Sequence, residues 1–456
     1  MHEPWNRKDF SHSDVLEMVG ADVARTRDDD ADVIVVGAGP AGASAAHYLA
    51  AAGRSVLLLE KATFPRDKVC GDGLTPRAVS ELVRMGVPMR PEDGWMRNKG
   101  LRVVGGGHTI HLPWPEIDRY PSYGLAKARM GLDQTLAYHA RTTGAKLMEG
   151  VNVTGPVVDD RTGRIVGVTA RQVDARGRRI EGADAEIELR APVVVAADGV
   201  SARLATAMGI AKRDDRPMGV AVRTYFRTPR HDDEWMESHL ELWEGEPRRS
   251  ALLPGYGWIF PLGDGTANVG LGSVSSTARA TQLDYRALLA AWMRNAPAEW
   301  EFTPENQIGP VRGAALPMSF NRKPIYQRGL LLVGDAGGMV SPFNGEGIAY
   351  ALQAGRIAAD VISQALVRGT AVERERTLAT YATRMADDVG GYFQLGRQFV
   401  RLIERPEVMR ICTTYGLPRK HLMNFVLKLL SDSYDTRGGD ISDRVITALT
   451  KIVPAA

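Results

Sequence analysis

The chain has 456 residues, of which 44% are hydrophobic and 24% charged, and its formal net charge is +3. This balance builds a sizeable core and excludes disordered, collagenous and fibrous proteins, and the small net charge argues against a dedicated nucleic-acid binder. The length predicts two or three domains of ~150 residues each. The 48 glycines exceed the usual share of about 7%, which indicates places where backbone closely approaches a ligand.

Residues 1–30 are polar and hold no apolar core of a signal peptide, so we expect a flexible extension there rather than a secretory signal. The chain contains no run of about 20 apolar residues, so the sequence predicts no membrane-spanning helix. Two cysteines, Cys70 and Cys412, fit a reducing compartment, although a disulfide between them is left open. We expect no metal site.

A nucleotide-binding unit begins the ordered chain. The β-branched run 32–36 predicts a buried parallel strand, and an alanine-rich helix and a second strand ending in Glu60 follow it. Between the first strand and the helix lies Gly37-x-Gly39-x-x-Gly42. Gly37 permits a tight turn, Gly39 lets backbone N–H groups approach a pyrophosphate, and Gly42 lets helix and strand pack closely. Glu60 lies where a carboxylate accepts hydrogen bonds from a ribose 2′-hydroxyl.

The middle of the chain predicts an antiparallel sheet with one face available to a ligand. Its short β-rich segments are 101–104, 219–226, 240–243, 251–260 and 267–274. Pieces that continue the first domain alternate with them. These pieces are a helix at 132–143, strands at 193–197 and 330–333, and a long helix at about 347–366. From about residue 377 the chain is predicted to be mainly helical.

Two later motifs resemble flavoproteins with the para-hydroxybenzoate hydroxylase type of fold. One strand runs into Asp198-Gly199, and the other runs into Gly334-Asp335-Ala336-Gly337, followed by Gly345-Glu346-Gly347-Ile348. The resemblance implies FAD, with Asp335 bonding the ribitol chain and the N–H groups of Gly347 and Ile348 facing the flavin. A helix N-terminus stabilises the negative charge of a reduced flavin at that edge.

Further single positions match the same pattern. The resemblance places Arg129 near the flavin phosphates, and it gives the backbone of Val153 the usual contact to adenine. A solvated arginine at a helix start is the plain alternative for Arg129.

Two segments resemble one branch of these flavoproteins more closely, the geranylgeranyl reductases. Lys68-Val69-Cys70-Gly71-Asp72-Gly73 matches the Cys-Gly-Asp segment that the family carries close to the flavin. Pro254-Gly255-Tyr256-Gly257-Trp258-Ile259-Phe260-Pro261 resembles its Tyr-x-Trp-x-Phe-Pro signature, although Pro254 stands two residues before the tyrosine instead of three. The resemblance covers roughly residues 31–400.

The aromatic signature also has a physical interpretation that does not depend on the resemblance. Tyr256, Trp258 and Phe260 share one face of a strand because side chains alternate with period two. They would form one flat aromatic wall, which suits a long polyisoprene chain with few polar groups. An ordinary hydrophobic core stripe is the alternative.

Two residues are candidate catalytic groups. Cys70 and Tyr256 could donate a proton to the substrate, and a bound water is an equal alternative. Arg66 and Lys68 beside Cys70 are expected to lower the pKa of its thiol. The plain alternative is a small buried apolar residue.

The resemblance implies an FAD-dependent reductase that saturates an isoprene double bond of a polyprenyl lipid, with one unit of the menaquinone side chain as the favoured substrate. The alternatives are a reductase of another geranylgeranyl lipid or diphosphate, an FAD-dependent aromatic hydroxylase or halogenase, and a non-catalytic lipid carrier. The electron donor would be NAD(P)H or a ferredoxin-like protein.

Basic and apolar residues alternate between Arg397 and Lys428 at helical spacing. Basic amphipathic helices lie on anionic bilayers. We therefore expect a cytoplasmic protein with peripheral contact at the inner face of the cell membrane. A helical cap with a solvated basic face is the alternative, and it is compatible with docking.

We therefore expect an α/β protein with a Rossmann-like FAD-binding domain interwoven with an antiparallel-sheet substrate domain and a helical C-terminal region. The predicted boundaries are 1–30 for the extension, 31–100, 125–215 and 310–375 for the FAD-binding domain, 101–124 and 216–309 for the substrate domain, and 376–456 for the helical region. The expected cofactor-binding residues are Gly37, Ala38, Gly39, Pro40, Ala41, Gly42, Glu60, Lys61, Cys70, Gly71, Asp72, Gly73, Arg129, Val153, Asp198, Asp335, Gly347 and Ile348.

Overall fold

The computed structural model describes residues 30–174, 177–178, 180, 186–274 and 283–452. The predicted N-terminal extension therefore lies, except for Asp30, outside the described residues.

The strands are, in chain order, β1 (Val33–Val36), β2 (Val56–Glu60), β3 (Gly73–Leu74), β4 (Met96–Asn98), β5 (Gly100–Gly105), β6 (His108–Pro113), β7 (Gly124–Ala126), β8 (Lys146–Glu149), β9 (Val151–Asp159), β10 (Arg164–Gln172), β11 (Ile187–Arg190), β12 (Val193–Ala196), β13 (Met218–Arg227), β14 (Trp235–His239), β15 (Leu242–Trp243), β16 (Leu252–Leu253), β17 (Gly255–Pro261), β18 (Thr266–Val274), β19 (Gln307–Pro317), β20 (Tyr326–Gln327) and β21 (Leu330–Leu332).

The α-helices are α1 (Pro40–Ala51), α2 (Pro76–Met85), α3 (Arg129–Thr143), α4 (Arg203–Ala207), α5 (Tyr285–Met293), α6 (Ile348–Leu366), α7 (Ala371–Met385), α8 (Gly391–Ile403), α9 (Pro406–Ile411), α10 (Lys420–Leu430) and α11 (Ile441–Ile452).

The nucleotide half of the molecule is a six-stranded sheet in the order β20-β21-β12-β1-β2-β8. Strand β1 pairs in parallel with both β2 and β12, and all three are fully buried, as their β-branched and leucine-rich sequences predict. Helix α1 packs directly on α6, because Gly355 has no side chain to hold the two backbones apart: a Cβ there would stand 2.4 Å from the Ala41 carbonyl oxygen. The predicted strand–helix–strand unit is present.

The second half is a seven-stranded sheet in the order β19-β13-β18-β17-β14-β5-β6. Most of its neighbouring strands are antiparallel, as the sequence predicts, and one pair, β14 with β5, is parallel. Within the strand expected at 240–243, residues 242–243 form β15, which pairs with β16 outside this sheet, and the sheet strand that was not expected is β14. Glu237 in β14 hid this strand from a hydropathy pattern, because it is a buried carboxylate that is ion-paired with Arg102.

Two features were not anticipated. Strands β9, β10 and β11 form a separate three-stranded antiparallel sheet after β8. Strand β19 runs through residue 310, where a domain boundary was expected. The division of the chain into domains stays a prediction.

The C-terminal region is helical, as expected. Its helix α8 joins the main core through Tyr392 and Phe393, whose rings pack against Tyr350 and Phe343. Across the described residues, none of the helices has the length and apolar character needed to span a membrane.

Candidate functional site

A cavity of about 720 Å³ opens at the carboxyl ends of the parallel strands. Its floor comes from the residues that follow β1, β2, β12 and β21, and residues 312 and 314–316 of β19 close its far side. The cavity therefore lies between the two halves of the molecule, at the edge where open α/β sheets bind their ligands.

The glycine turn between β1 and α1 is tightly packed. Gly37 has φ +101°, and a Cβ there would stand 2.3 Å from the Ala197 carbonyl oxygen. A Cβ at Gly42 would stand 1.8 Å from the Gly37 carbonyl oxygen. A Cβ at Gly39 would meet only the tip of Arg66, at 3.8 Å. The turn thus needs glycine at 37 and 42 for packing, and at 39 it leaves the start of α1 open to the cavity.

Glu60 is buried at the end of β2, with its carboxylate held in place on both oxygens. Oε2 accepts hydrogen bonds from the Ala38 N–H and from Arg66 Nη2, each at 3.1 Å, and Oε1 accepts one from the Ala62 N–H at 3.0 Å. Glu60 also lines the cavity, and these hydrogen bonds fix its position before any ligand binds.

An arginine pair around Asp133 forms a second fixed element of the cavity wall. Arg129 donates from Nε and Nη2 to the Asp133 carboxylate at 2.8 and 2.9 Å, and Arg66 Nη1 donates to the same carboxylate at 2.8 Å. Burial opposes the charge of Arg129, but Asp133 beside it holds its pKa above the ordinary value. Sequence reasoning missed Asp133 and the role of Arg66. The Arg129-to-Asp133 spacing of four in a predicted helix was the available signal.

The segment that follows Arg66 crosses the cavity. Lys68 Nζ lies 3.8 Å from Asp335 Oδ2, and Asp67 is ion-paired with Arg223 and, at 3.6 Å, with Arg312 of β19. These pairs tie the segment to both halves of the molecule.

Cys70 lines the cavity, but its thiol is not activated. Burial raises the pKa of Cys70, and the opposing effects of Arg129 and Lys68 are smaller. Lys68 lowers the pKa of Cys70, as expected, but the larger effect of burial leaves this pKa raised, so the expected net direction was wrong. Both Cys70 and Cys412 are free thiols, which removes the open possibility of a disulfide in this structure.

Asp72 anchors the Cys-Gly-Asp segment from behind. Its Oδ2 accepts a hydrogen bond from Asn268 Nδ2 at 2.8 Å, and its Oδ1 accepts one from the Arg129 N–H at 3.2 Å. Burial raises the pKa of Asp72 to about 6. The segment is thereby fixed to β18 and to the start of α3.

The aromatic side chains of β17 share a face but are not one flat wall. The rings of Trp258 and Phe260 are 6.0 Å apart and nearly parallel, whereas Tyr256 is tilted by 55° to Trp258. Gly71 lies against them, since a Cβ there would stand 3.0 Å from Phe260. Trp258 is buried, and its Nε1 donates to Asn268 Oδ1 at 2.8 Å. The three aromatics therefore lie behind the Cys-Gly-Asp segment and not on the cavity surface.

Glu346, which the sequence reasoning did not single out, stands between Gly345 and Gly347, two residues that line the cavity. Its Oε1 accepts a hydrogen bond from Thr75 Oγ1 at 2.6 Å, and its buried Oε2 has no hydrogen-bond partner within the described part of the chain. Burial raises the pKa of Glu346 to about 7. In the same loop the Asn344 carbonyl oxygen accepts a hydrogen bond from Tyr256 Oη at 2.6 Å. The signal was its place between Gly345 and Gly347.

The cavity brings most of the expected cofactor-binding residues together. Those on its surface are Gly37, Gly39, Pro40, Ala41, Glu60, Lys61, Cys70, Arg129, Val153, Asp198, Asp335, Gly347 and Ile348. The remaining ones, Ala38, Gly42, Gly71, Asp72 and Gly73, are absent from that lining, and the contacts above show how Gly42 packs the turn and how Gly71 and Asp72 support the segment. The roles of all these residues in binding stay predictions.

The cavity residues fit a dinucleotide. The start of α1 offers N–H donors to a pyrophosphate beside Arg66 and Arg129, and the start of α6 offers a second set of donors. The Asp198 Oδ1 atom is buried and, within the described residues, lacks a hydrogen-bond partner, so it is available to a ligand hydroxyl. A glycine-cradled cavity of this kind at the strand ends defines a dinucleotide-binding protein of the α/β class.

Comparison with known proteins identifies the family. A model of the FAD binding domain family matches residues 30–389. Menaquinone reductase from Mycobacterium tuberculosis is 38% identical over 406 residues, which cover 89% of this chain and 92% of that protein. Digeranylgeranylglycerophospholipid reductase 1 from Methanopyrus kandleri is 32% identical over 78% of this chain and 85% of its own length. The chain belongs to the FAD binding domain family and, within it, to the geranylgeranyl reductases.

The fold agrees with this assignment. The crystal structure of a geranylgeranyl bacteriochlorophyll reductase-like protein from Thermoplasma acidophilum superposes with a TM-score of 0.64 at 22% identity. The match covers 86% of this chain and 98% of that one. The protein is therefore an FAD-dependent oxidoreductase, and its cofactor is FAD.

Proposed function

We propose that this protein reduces one isoprene double bond in the side chain of menaquinone. The observation that carries the proposal is the position of the Cys-Gly-Asp segment, where Cys70 faces the cofactor cavity and Gly71 touches the aromatic side chains of β17. The similarity to a menaquinone reductase over nearly the full length of both chains supports the choice of substrate. A reductase of another geranylgeranyl lipid is the nearest alternative.

Each half of the site has a separate task. The glycine turn, Glu60 and Arg129 would hold the dinucleotide, and Asp335 with the start of α6 would hold its ring end. When bound and reduced by the electron donor, FAD would supply the hydride that the alkene accepts. Tyr256 and Phe260, the partly exposed members of the aromatic group, would contact the polyprenyl chain, which offers apolar area and few polar groups, and buried Trp258 would support them.

The second alkene carbon needs a proton from an acid in this region. Burial raises the pKa values of both Cys70 and Tyr256, so each keeps its proton at neutral pH and releases it reluctantly. Glu346, whose pKa is about 7, lies close enough to Tyr256 for its charge to raise the pKa of the phenol. A pKa near the working pH is the best match for a general acid, so Glu346 Oε2 joins Cys70 and Tyr256 as a candidate.

A polyprenyl substrate dissolves in the bilayer, which supports the proposal of peripheral membrane contact. Exposed apolar side chains on α8, α9, the following turn and α10 are Leu402, Ile411, Tyr415 and Leu422. Arg410, Arg419 and Lys420 lie on the same helices. Such a surface favours peripheral contact with an anionic bilayer, and we place it at the cytoplasmic face of the cell membrane, with NAD(P)H or a ferredoxin-like protein as electron donor.

Mass spectrometry of lipids from cells with and without the protein tests the substrate. We expect cells that lack it to accumulate fully unsaturated menaquinone, and the wild-type gene to restore the partly saturated form. An unchanged menaquinone profile, with a change in another prenyl lipid, would transfer the proposal to that lipid. A hydroxylated aromatic product would favour the hydroxylase alternative.

A further inference from the structure

A cluster of four basic side chains lies outside the FAD cavity and takes no part in the proposed reaction. We call it the Arg216 cluster, and its members are Arg213, Arg216, Lys323 and Arg397. They come from three separate parts of the chain: the segment before β13, the loop after β19, and helix α8.

The backbone holds these parts together. The Arg213 N–H donates to the Asn321 carbonyl oxygen at 2.7 Å, which fixes the first segment to the loop. The rings of Phe320 and Phe393 pack at 5.2 Å, and this contact fixes the same loop to α8 one turn before Arg397. The cluster is therefore a built feature of the fold and not a chance meeting of long surface side chains.

Two of the four cations, Arg213 and Arg216, pair with the Asp215 carboxylate. Arg213 makes two hydrogen bonds to Asp215, at 2.7 and 2.9 Å, and Arg216 Nη1 lies 3.1 Å from the same group. The Arg216 side chain is only 5% exposed, and its Nε is buried without a hydrogen-bond partner within the described residues. Arg213 and Arg216 thus share a half-exposed aspartate, and Arg397 lies close enough to help lower the pKa of that aspartate.

Together with burial, the surplus of positive charge lowers the pKa values of Arg216 and Lys323. Burial lowers the pKa of Arg216, and Arg397 and Arg213 lower it further. Burial and the same three arginines also lower the pKa of Lys323. Holding like charges together at this cost favours a bound anion, and guanidinium groups in a fixed array match the geometry of phosphate oxygens.

We propose that the Arg216 cluster binds the phosphate group of a phosphorylated small molecule, in competition with the Asp215 carboxylate. The Phe320 N–H donates to the Gly338 carbonyl oxygen at 2.8 Å, and Gly338 closes the turn that carries Asp335 of the FAD cavity. A ligand at the cluster therefore lies one loop away from the cofactor. Two sources share this chemistry, a nicotinamide dinucleotide and a phospholipid headgroup. The inference goes beyond the proposed reaction and does not depend on its substrate.

Titration of the full-length, FAD-loaded protein with inorganic pyrophosphate at low ionic strength tests the site. We expect saturable binding that Lys323→Gln and Arg397→Gln each weaken by about tenfold, the usual cost of one charged hydrogen bond. These two positions are chosen because buried Arg216 also supports the fold. Asp215→Asn removes the competing carboxylate, so we expect it to tighten binding several-fold.

Arg249→Gln is the matched control, since it removes one positive charge from a 78% exposed side chain that pairs with Glu246 away from the cluster. Its pyrophosphate affinity should equal that of the wild type. The proposal is overturned if pyrophosphate shows no saturable binding, if Arg249→Gln loses as much affinity as Lys323→Gln, or if Asp215→Asn weakens binding.

Competition identifies the source of the phosphate. Displacement of pyrophosphate by NADPH but not by NADH would assign the site to a nucleotide 2′-phosphate. Displacement by phosphatidylglycerol vesicles but not by NADPH would assign it to a lipid headgroup. Saturable pyrophosphate binding that neither displaces would assign it to free phosphate or diphosphate compounds.

Discussion

The FAD cavity is tightly packed and its charges are buried, whereas the helices α7 to α11 expose apolar and basic side chains. Around the cavity, glycines pack against backbone oxygens, and charges such as Arg129 and Asp133 are buried in fixed pairs. On the helices, Ile411 is 58% exposed and Tyr415 is 62% exposed, and their neighbours are basic. The cavity depends on exact fit, so single atoms matter there for stability, whereas single changes on the exposed helical surface should leave the fold intact.

Replacing one cavity glycine should have the largest effect. Gly42→Ala would place a Cβ 1.8 Å from the Gly37 carbonyl oxygen, and backbone cannot yield that much. We expect a loss of at least about 3 kcal/mol of stability and loss of bound FAD. Gly369→Ala, which adds a Cβ with no neighbour within 4 Å, should change stability by less than about 0.5 kcal/mol. Equal flavin content in the two purified variants would contradict the account.

Removing one carboxylate should cost more stability in a buried ion pair than in an exposed one. Asp133→Ala leaves the buried Arg129 charge without its partner, which should cost about 3–5 kcal/mol in urea unfolding. Asp360→Ala breaks an exposed pair with Arg384 between α6 and α7 and should cost at most about 1 kcal/mol. Similar costs for both would mean that the cavity charges are not held as the structure indicates.

The pH dependence of stability should reveal Glu346. Its pKa rises from 4.5 to about 7 on folding, because burial favours the neutral form. The folded state therefore holds a proton that the unfolded chain releases. The stabilisation is complete below about pH 4.5 and is lost as the pH rises through about 7, with a slope of at most about 1.4 kcal/mol per pH unit. Glu346→Gln should remove this contribution from unfolding curves measured across that window and leave the smaller one of Asp72, which ends near pH 6, and exposed Glu116→Gln should retain both.

Changes on the helical surface should affect membrane binding and leave the fold intact. Ile411→Ser and Leu422→Ser should each weaken binding to phosphatidylglycerol vesicles by about fivefold, since less apolar area enters the bilayer. Their unfolding free energies should stay within about 0.5 kcal/mol of the wild type. Val372→Ser on α7, also exposed, is the control and should bind vesicles normally. Unchanged vesicle binding by both test variants would remove this surface from the proposal.

The parts of the fold that local sequence determines could be predicted. Strand β1, the glycine turn, α1 and Glu60 follow one another within a short stretch, and each has a distinct pattern. Strand β14 could not be predicted from hydropathy, because Glu237 is buried there with two partners, His239 and Arg102, and Arg102 lies 135 positions away.

The candidate site shows the same limit. Motifs identified the residues around the cavity, but the contact between Asn268 and Asp72 joins positions 196 residues apart. The pKa of Cys70 was mispredicted because neighbours in sequence suggested activation, whereas burial in the folded chain has the larger effect. Contacts across the two halves of the molecule have no signature in a single sequence.

Reoxidation of the bound flavin tests the central claim most directly. The flavin of the purified protein is reduced under anaerobic conditions, which removes its yellow colour, and the protein is then mixed with menaquinone. Both the flavin absorbance and the mass of the lipid are followed. The account predicts that the yellow colour returns without oxygen and that the lipid, once its ring has been oxidised back to the quinone, keeps two added hydrogen atoms in the side chain. Flavin that is reoxidised only by oxygen, with menaquinone unchanged, would contradict it.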